Sequence, residues 1–183
     1  MNSHPRDLTN ILLTGAPGVG KTTFFQRLYQ VFAEARPVGF YTAETRQGGR
    51  RTGFDLITFD GQRHTLAHVD IAGPYRVSKY GVDVAGFDKA LAAMPVEDPE
   101  VRLAMVDEIG KMECYSEVFR VVMKKLLDSP TIVVGTIALW GGGFIAEVKR
   151  RPDVVLYDLT RRNQEGLLSE ITVSIRRQLE QLR

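Results

Sequence analysis

The sequence predicts an α/β fold: three layers, α/β/α, around a mainly parallel sheet. Three observations carry that prediction. Short, predominantly apolar runs recur at Leu8 to Thr14, Val101 to Val106, Thr131 to Thr136 and Val154 to Leu159, the pattern of strands buried on both faces. Stretches with apolar residues at three- and four-residue steps alternate with them. A glycine-rich segment, Gly15 to Gly20, joins the first strand to the first helix, which opens a strand–helix alternation.

Each element follows from its own residues. Leu8 to Thr14 ends in glycine. Thr22 to Ala35 places Phe24, Leu28, Val31, Phe32 and Ala35 on one helical face, and Pro37 stops the helix. The period then changes. "GFYTAETRQGGRRTGFDLITFDGQRHTLAHV" contains strand-like runs broken by Gly48-Gly49 and by Asp60-Gly61, and Asp-Gly between such runs is a hairpin signal. An antiparallel meander inserted at about 38–70 is expected. Phe87 to Met94 reads as a short helix ended by Pro95, and "VEDPE" as a loop. Val101 to Val106 is a strand that ends at Asp107-Glu108. Ser116 to Leu127 is a helix with Ser116 as its N-cap and Phe119, Val122, Met123 and Leu126 as its stripe. Gln164 to Leu182 is the last helix, with Leu168, Ile171, Ile175, Leu179 and Leu182 in step.

Composition narrows the function classes. The 183 residues suffice for one domain with a substantial core and are short for two, so one domain over 1–183 is expected. The net charge of +2 makes an electrostatic nucleic-acid binder an unfavoured reading. Cys114 is alone, so an intrachain disulfide is excluded, which fits a reducing, cytoplasmic setting. "MNSHPRDLTN" lacks the apolar stretch of a signal peptide. The uncharged run Thr131 to Ala146 is too short and glycine-rich for a membrane span. A monomer without membrane association is the expectation.

Gly15-x-x-x-x-Gly20-Lys21-Thr22 fits the P-loop pattern, also called Walker A. Glycines let successive backbone N–H groups turn toward an anion, and the positive end of the following helix points at the same spot. Gly15, Ala16, Pro17, Gly18, Val19, Gly20, Lys21, Thr22 and Thr23 are therefore the candidate nucleotide-binding residues. Lys21 adds a full charge for the β- and γ-phosphates, the Thr22 hydroxyl is a Mg²⁺ ligand candidate, and Thr23 is placed for the α-phosphate. A P-loop calls for a buried strand ending in an acid that reaches the metal through water. "RLAMVDE" supplies it: Asp107 is the metal partner, and Glu108 is the candidate base for an attacking water.

With both motifs in place, the chain resembles the small P-loop nucleoside-triphosphatases of the thermophile-type and cancer-related group. The likeness rests on "GAPGVGKTT", "GFYTAETRQGGRRTGFD", "DEIGKMECYS" and "RPDVVLYDLTRRN". It implies a RecA-like or kinase-like core with an added β-hairpin region. It also implies a Mg²⁺-dependent hydrolase that takes ATP, GTP and other nucleoside triphosphates to the diphosphate and phosphate. By motif match, Lys21, Thr22, Asp107 and Glu108 inherit the phosphate, metal and water roles. Lys111, within "DEIGKME", is a further catalytic candidate that would neutralise transition-state charge. Arg46, Arg50 and Arg51 match the family's "RQGGRR"; an arginine finger in cis and a solvated hairpin edge are both open readings. The chain departs from the family pattern at Ser78 (where glycine is usual), in the "ALWGGGF" loop, and at Gln164 (where arginine is common). Trp140 in that loop is open between base stacking and a hydrophobic anchor. His4, His64 and His68 lack metal-ligand spacing and read as surface residues.

Two other function classes use the same motifs. A small-molecule or nucleotide kinase needs an acceptor pocket and an arginine lid, for which Arg150, Arg151, Arg161 and Arg162 are available. A nucleotide-dependent switch or adaptor needs only slow hydrolysis, and the absence of an Asn-Lys-x-Asp guanine signature argues against a GTPase switch.

Overall fold

Alternate residues of the central strands part to opposite sides of one sheet, which dictates helices on both faces. The computed structural model describes residues 10–182; Leu8 and Thr9 of the first expected strand, His4 and the rest of the N-terminal stretch lie outside the described residues. The strands are β1 (Asn10–Thr14), β2 (Val38–Gln47), β3 (Arg50–Thr58), β4 (Arg63–His68), β5 (Arg76–Val77), β6 (Tyr80–Val82), β7 (Leu103–Ile109), β8 (Ile132–Ile137) and β9 (Val154–Asp158). The helices are α1 (Lys21–Phe32), α2 (Val84–Ala93), α3 (Glu117–Asp128), α4 (Gly143–Lys149) and α5 (Gln164–Gln181).

The strands form one sheet in the order β5-β6-β4-β3-β2-β7-β8-β1-β9. The β2–β7, β7–β8, β8–β1 and β1–β9 pairs are parallel, and those among β2 to β6 are antiparallel. On one face, Leu12, Ala104, Val106 and Val133 meet Phe87 and Leu91 of α2, Phe119 and Met123 of α3, and Ile145 and Val148 of α4. On the other, Ile11, Leu13, Met105 and Val134 meet Phe24, Phe25 and Leu28 of α1 and Ile171 and Ile175 of α5. Phe40, Phe87 and Phe119 form an aromatic triangle in the first of these cores, with centroid separations of 5.5 to 6.3 Å.

Several local expectations are revised. β2 belongs to both parts of the sheet: Val38–Phe40 pair in parallel with Ala104–Val106, and Phe40–Gln47 pair antiparallel with β3. The antiparallel strands thus continue a core strand. The small β5–β6 hairpin and the seven-residue α4 carry no strong sequence signal. Val31 is 41% exposed, and Ala35 lies in an exposed 3₁₀ turn after α1. In α5 the buried residues are Leu167, Ile171, Ile175 and Gln178, while Leu168, Leu179 and Leu182 pack at the margin. Ser116 caps α3: its hydroxyl accepts from Phe119 N at 2.8 Å and donates to Asp88. Among the described residues, no helix is long and apolar enough to cross a membrane.

Candidate active site

The parallel strands β1, β7, β8 and β9 all point their carboxyl ends to one side, where α/β sheets bind ligands. The glycine loop leaves β1 there. Gly15, Gly18 and Gly20 have φ of 155°, 74° and 102°, values that favour residues without a Cβ. At Gly15 the space is also closed, because a Cβ would come within 2.6 Å of the Leu159 carbonyl oxygen. Ala16, Pro17, Gly18 and Thr23 are exposed, and Val19, Gly20, Lys21 and Thr22 are half-buried. Lys21 opens α1 and donates to the Gly15 carbonyl at 3.2 Å. From the start of α5, Gln164 donates to the Val19 carbonyl at 3.0 Å and braces the loop.

The acidic strand is separated from β1 by β8, so the acids lie two strands away, about 10 Å across the sheet. β7 does not stop at Asp107; it runs on to Ile109. Val106 pairs with Gly135 and Ile109 with Ile137, so Asp107 and Glu108 together oppose the single residue Thr136. This two-against-one irregularity is a β-bulge, a device that re-aims side chains.

Asp107 is fully buried. Its Oδ1 accepts from the Thr136 hydroxyl at 2.5 Å, and its Oδ2 has no hydrogen-bond partner. Burial pushes this carboxyl up; the Thr136 and Thr22 hydroxyls, the Thr42 backbone and Lys21 pull it back. Thr22 is thus close enough to act on Asp107 electrostatically without forming a regular hydrogen bond to Oδ2. Glu108 is half-buried. Burial raises it, Lys21 lowers it, Asp107 raises it and Lys149 lowers it. Lys149 is itself pushed down by burial, and it donates to the Leu139 carbonyl at 2.8 Å. Lys21, Thr22, Asp107 and Glu108 therefore share one electrostatic environment.

Glu108 also lines a cavity of about 320 Å³ with Thr42, Gly110, Lys111 and Glu113. Lys111 is exposed at its edge. The hairpin arginines have other commitments: Arg46 and Arg51 both bind Glu44, at 2.6 Å each, and Arg51 donates to the Tyr80 hydroxyl at 3.0 Å. Arg50 is exposed. Trp140 is 83% exposed, which overturns its reading as a hydrophobic anchor. Arg151 binds Asp128 at 2.8 Å and Asp153 at 2.6 Å. Asn10, at the amino end of β1, shares Asp153 with it, so Arg151 is held at the end of the sheet opposite the glycine loop.

Three residues of this environment have only faint sequence signals. Thr136 is the one hydroxyl in "IVVGTI". Gln164 stands where the resemblance leads one to expect arginine, and its amide makes a bracing contact that a guanidinium can also make. Glu113 is an acid in a motif already rich in charge, and its burial is invisible without the fold.

The comparisons with known proteins bear on the same elements. A family model described as NTPase matches residues 10–172. The chain belongs to the NTPase family. Among the family's curated members, it is 43% identical over 162 residues to nucleoside-triphosphatase THEP1 of Thermotoga maritima, a match covering 88% of this chain and 92% of that protein. It is 38% identical over 184 residues to the human cancer-related nucleoside-triphosphatase, covering 91% and 96%. The crystal structure of THEP1 from Aquifex aeolicus superposes with a TM-score of 0.79 at 33% identity, over 88% of this chain and 96% of that one. The solution structure of the human protein gives 0.78 at 36% identity, over 91% and 97%. The α/β sheet with its helices is thus the fold of the NTPase family.

Proposed function

We propose that this NTPase-family chain is a Mg²⁺-dependent hydrolase with broad base specificity that converts nucleoside triphosphates to the diphosphate and phosphate. The observation that carries the reading is the bulge in β7, where Asp107 and Glu108 both lie within the field of Lys21. The names of the relatives support the same activity.

The amides of Gly15 to Gly20 and the Lys21 ammonium bind the triphosphate tail. Asp107 Oδ2, buried and without a hydrogen-bond partner beside the Thr22 hydroxyl, fits a hydrated Mg²⁺ ion. Thr22 and Asp107 would hold it, and when bound it neutralises charge on the β- and γ-phosphates. Glu108 takes a proton from a water as that oxygen bonds to the γ-phosphorus. The bond from phosphorus to the bridging oxygen breaks, and its electron pair leaves with the diphosphate. Burial raises the Glu108 carboxyl toward neutrality, which strengthens it as a base. Lys111, at the cavity edge, adds positive charge as negative charge spreads over the transferred group. Broad base use rests on the site's dependence on phosphate contacts. The proposal covers one domain over 1–183, working as a monomer in the cytoplasm on nucleotide rather than nucleic acid.

The test is phosphate release from ATP, GTP, CTP, UTP, ITP and XTP, with and without Mg²⁺. Release from every triphosphate, abolished by chelation, is expected. Faster transfer to an added nucleoside than to water would establish the kinase instead; the fixed position of Arg151 weighs against its service as a lid.

A further inference from the structure

The mechanism above leaves one buried acid unused. Glu113 opens the 3₁₀ turn Glu113–Tyr115 between β7 and α3. It is 5% exposed and lines the same cavity as Glu108. Gly110 stands between the two acids. A methyl group on Gly110 would come within 2.8 Å of Glu113 Oε2 and 3.0 Å of Glu108 Oε1. Both carboxyls therefore approach the face of Gly110 where a side chain would stand.

Two carboxyls in such proximity resist ionising together. Burial, then the charges of Glu108 and Asp107, push Glu113 up to about 8. Glu108 has compensation that Glu113 lacks, from Lys21 and Lys149. With its carboxyl pushed up to about 8, Glu113 holds its proton at neutral pH. The other titratable neighbours are Lys111 at the cavity edge and Cys114, whose thiol is pushed up to about 12 by burial and by Glu113. Phe54, Leu66 and Val77 supply apolar wall.

We propose that Glu113 is the positioning residue of Glu108: packed across Gly110 from it, Glu113 holds the Glu108 carboxylate in one orientation toward the cavity. The proposal rests on the reading of Glu108 as the base. A neutral acid in this place offers an O–H donor to its partner without bringing a second negative charge near the γ-phosphate. An apolar side chain offers neither donor nor orientation.

The experiment is steady-state kinetics with Mg-ATP for the parent, Glu108→Gln, Glu113→Leu and Glu113→Gln from pH 6 to 9.5, with melting temperatures. Glu113→Leu should lower kcat about tenfold or more and leave KM within about twofold, with no loss of melting temperature. Glu113→Gln should recover most of that kcat at pH 7. The parent should decline in kcat above pH about 8, and Glu113→Gln should lack that decline. Parental kcat in Glu113→Leu, with Glu108→Gln inactive, overturns the positioning role and leaves the base intact. Parental kcat in Glu108→Gln removes the base itself. If Glu113→Leu does not fold, an unchanged alkaline decline in Glu113→Gln overturns the proposal.

Discussion

Thr136 donates its hydroxyl to Asp107 at 2.5 Å inside the sheet, one strand away from the glycine loop. Asp107 is fully buried, and this bond, the Thr22 hydroxyl, the Thr42 backbone and Lys21 offset its desolvation. Thr136→Val keeps the volume and removes the donor. It should cost about 1–3 kcal/mol of stability and weaken Mg²⁺-dependent turnover. Thr136→Ser should recover both. Urea midpoints and phosphate release measure the two effects. A Thr136→Val protein equal to the parent in both would dissociate Thr136 from the site.

Lys21 and Glu108 should separate binding from chemistry. Lys21→Ala removes the cation that faces both acids and is expected to weaken triphosphate affinity in a fluorescent-nucleotide titration. Glu108→Gln should bind as the parent does and lose turnover by about 100-fold or more, the scale of general-base loss.

Gly15 has φ 155°, and its Cα faces the Leu159 carbonyl. Gly15→Ala puts a methyl 2.6 Å from that oxygen. The loop must shift to relieve the contact, so triphosphate affinity should fall while the β1–β9 pairing persists. Nucleotide titration beside far-ultraviolet circular dichroism distinguishes this from unfolding.

Glu113 should impose a pH dependence on folding. Its carboxyl titrates at about 8 in the fold, against an ordinary value of 4.5. Between those values the folded state binds the proton and the unfolded state does not, so stability falls as pH rises through that window and levels above it. Glu113→Gln lacks this loss. Its advantage over the parent in unfolding free energy, from urea titration, should grow from pH 5 to pH 8, with a slope approaching about 1.4 kcal/mol per pH unit. A difference independent of pH would show that Glu113 is ionised in the fold.

Ser78 turns the β5–β6 hairpin at φ 54°, in the left-handed region. The resemblance leads one to expect glycine at this position, and glycine adopts the region without steric cost. Ser78→Gly should stabilise the protein by about 1 kcal/mol or less, since the relieved strain is partly cancelled by a more flexible unfolded chain. Thermal denaturation tests the sign.

Much of the fold was legible because its signals are local. The apolar run, glycine loop and amphipathic helix occupy consecutive residues, as do Ser116 and the helix it caps. The hydrophobic-anchor reading of Trp140 fails because, although a large apolar side chain normally packs, three glycines follow it and the loop leaves it in solvent. Helix α4 is not legible, since its seven residues begin with the last of those glycines and start without a side-chain cap. The brevity of β5 and β6 concealed their hairpin.

By itself, the sequence determined the glycine-rich loop of P-loop pattern with its lysine and hydroxyl, and the acidic pair at the far reach of a buried strand. These depend on residue type and spacing over a few positions. Tertiary structure alone decided that β8 lies between β1 and β7, that Asp107 and Glu108 share one partner residue at a bulge, and that Glu113 and Glu108 both approach Gly110. The physical reason is that strand order, register and desolvation are set by distant segments packing together, and a carboxyl acquires its charge state only once those neighbours are in place.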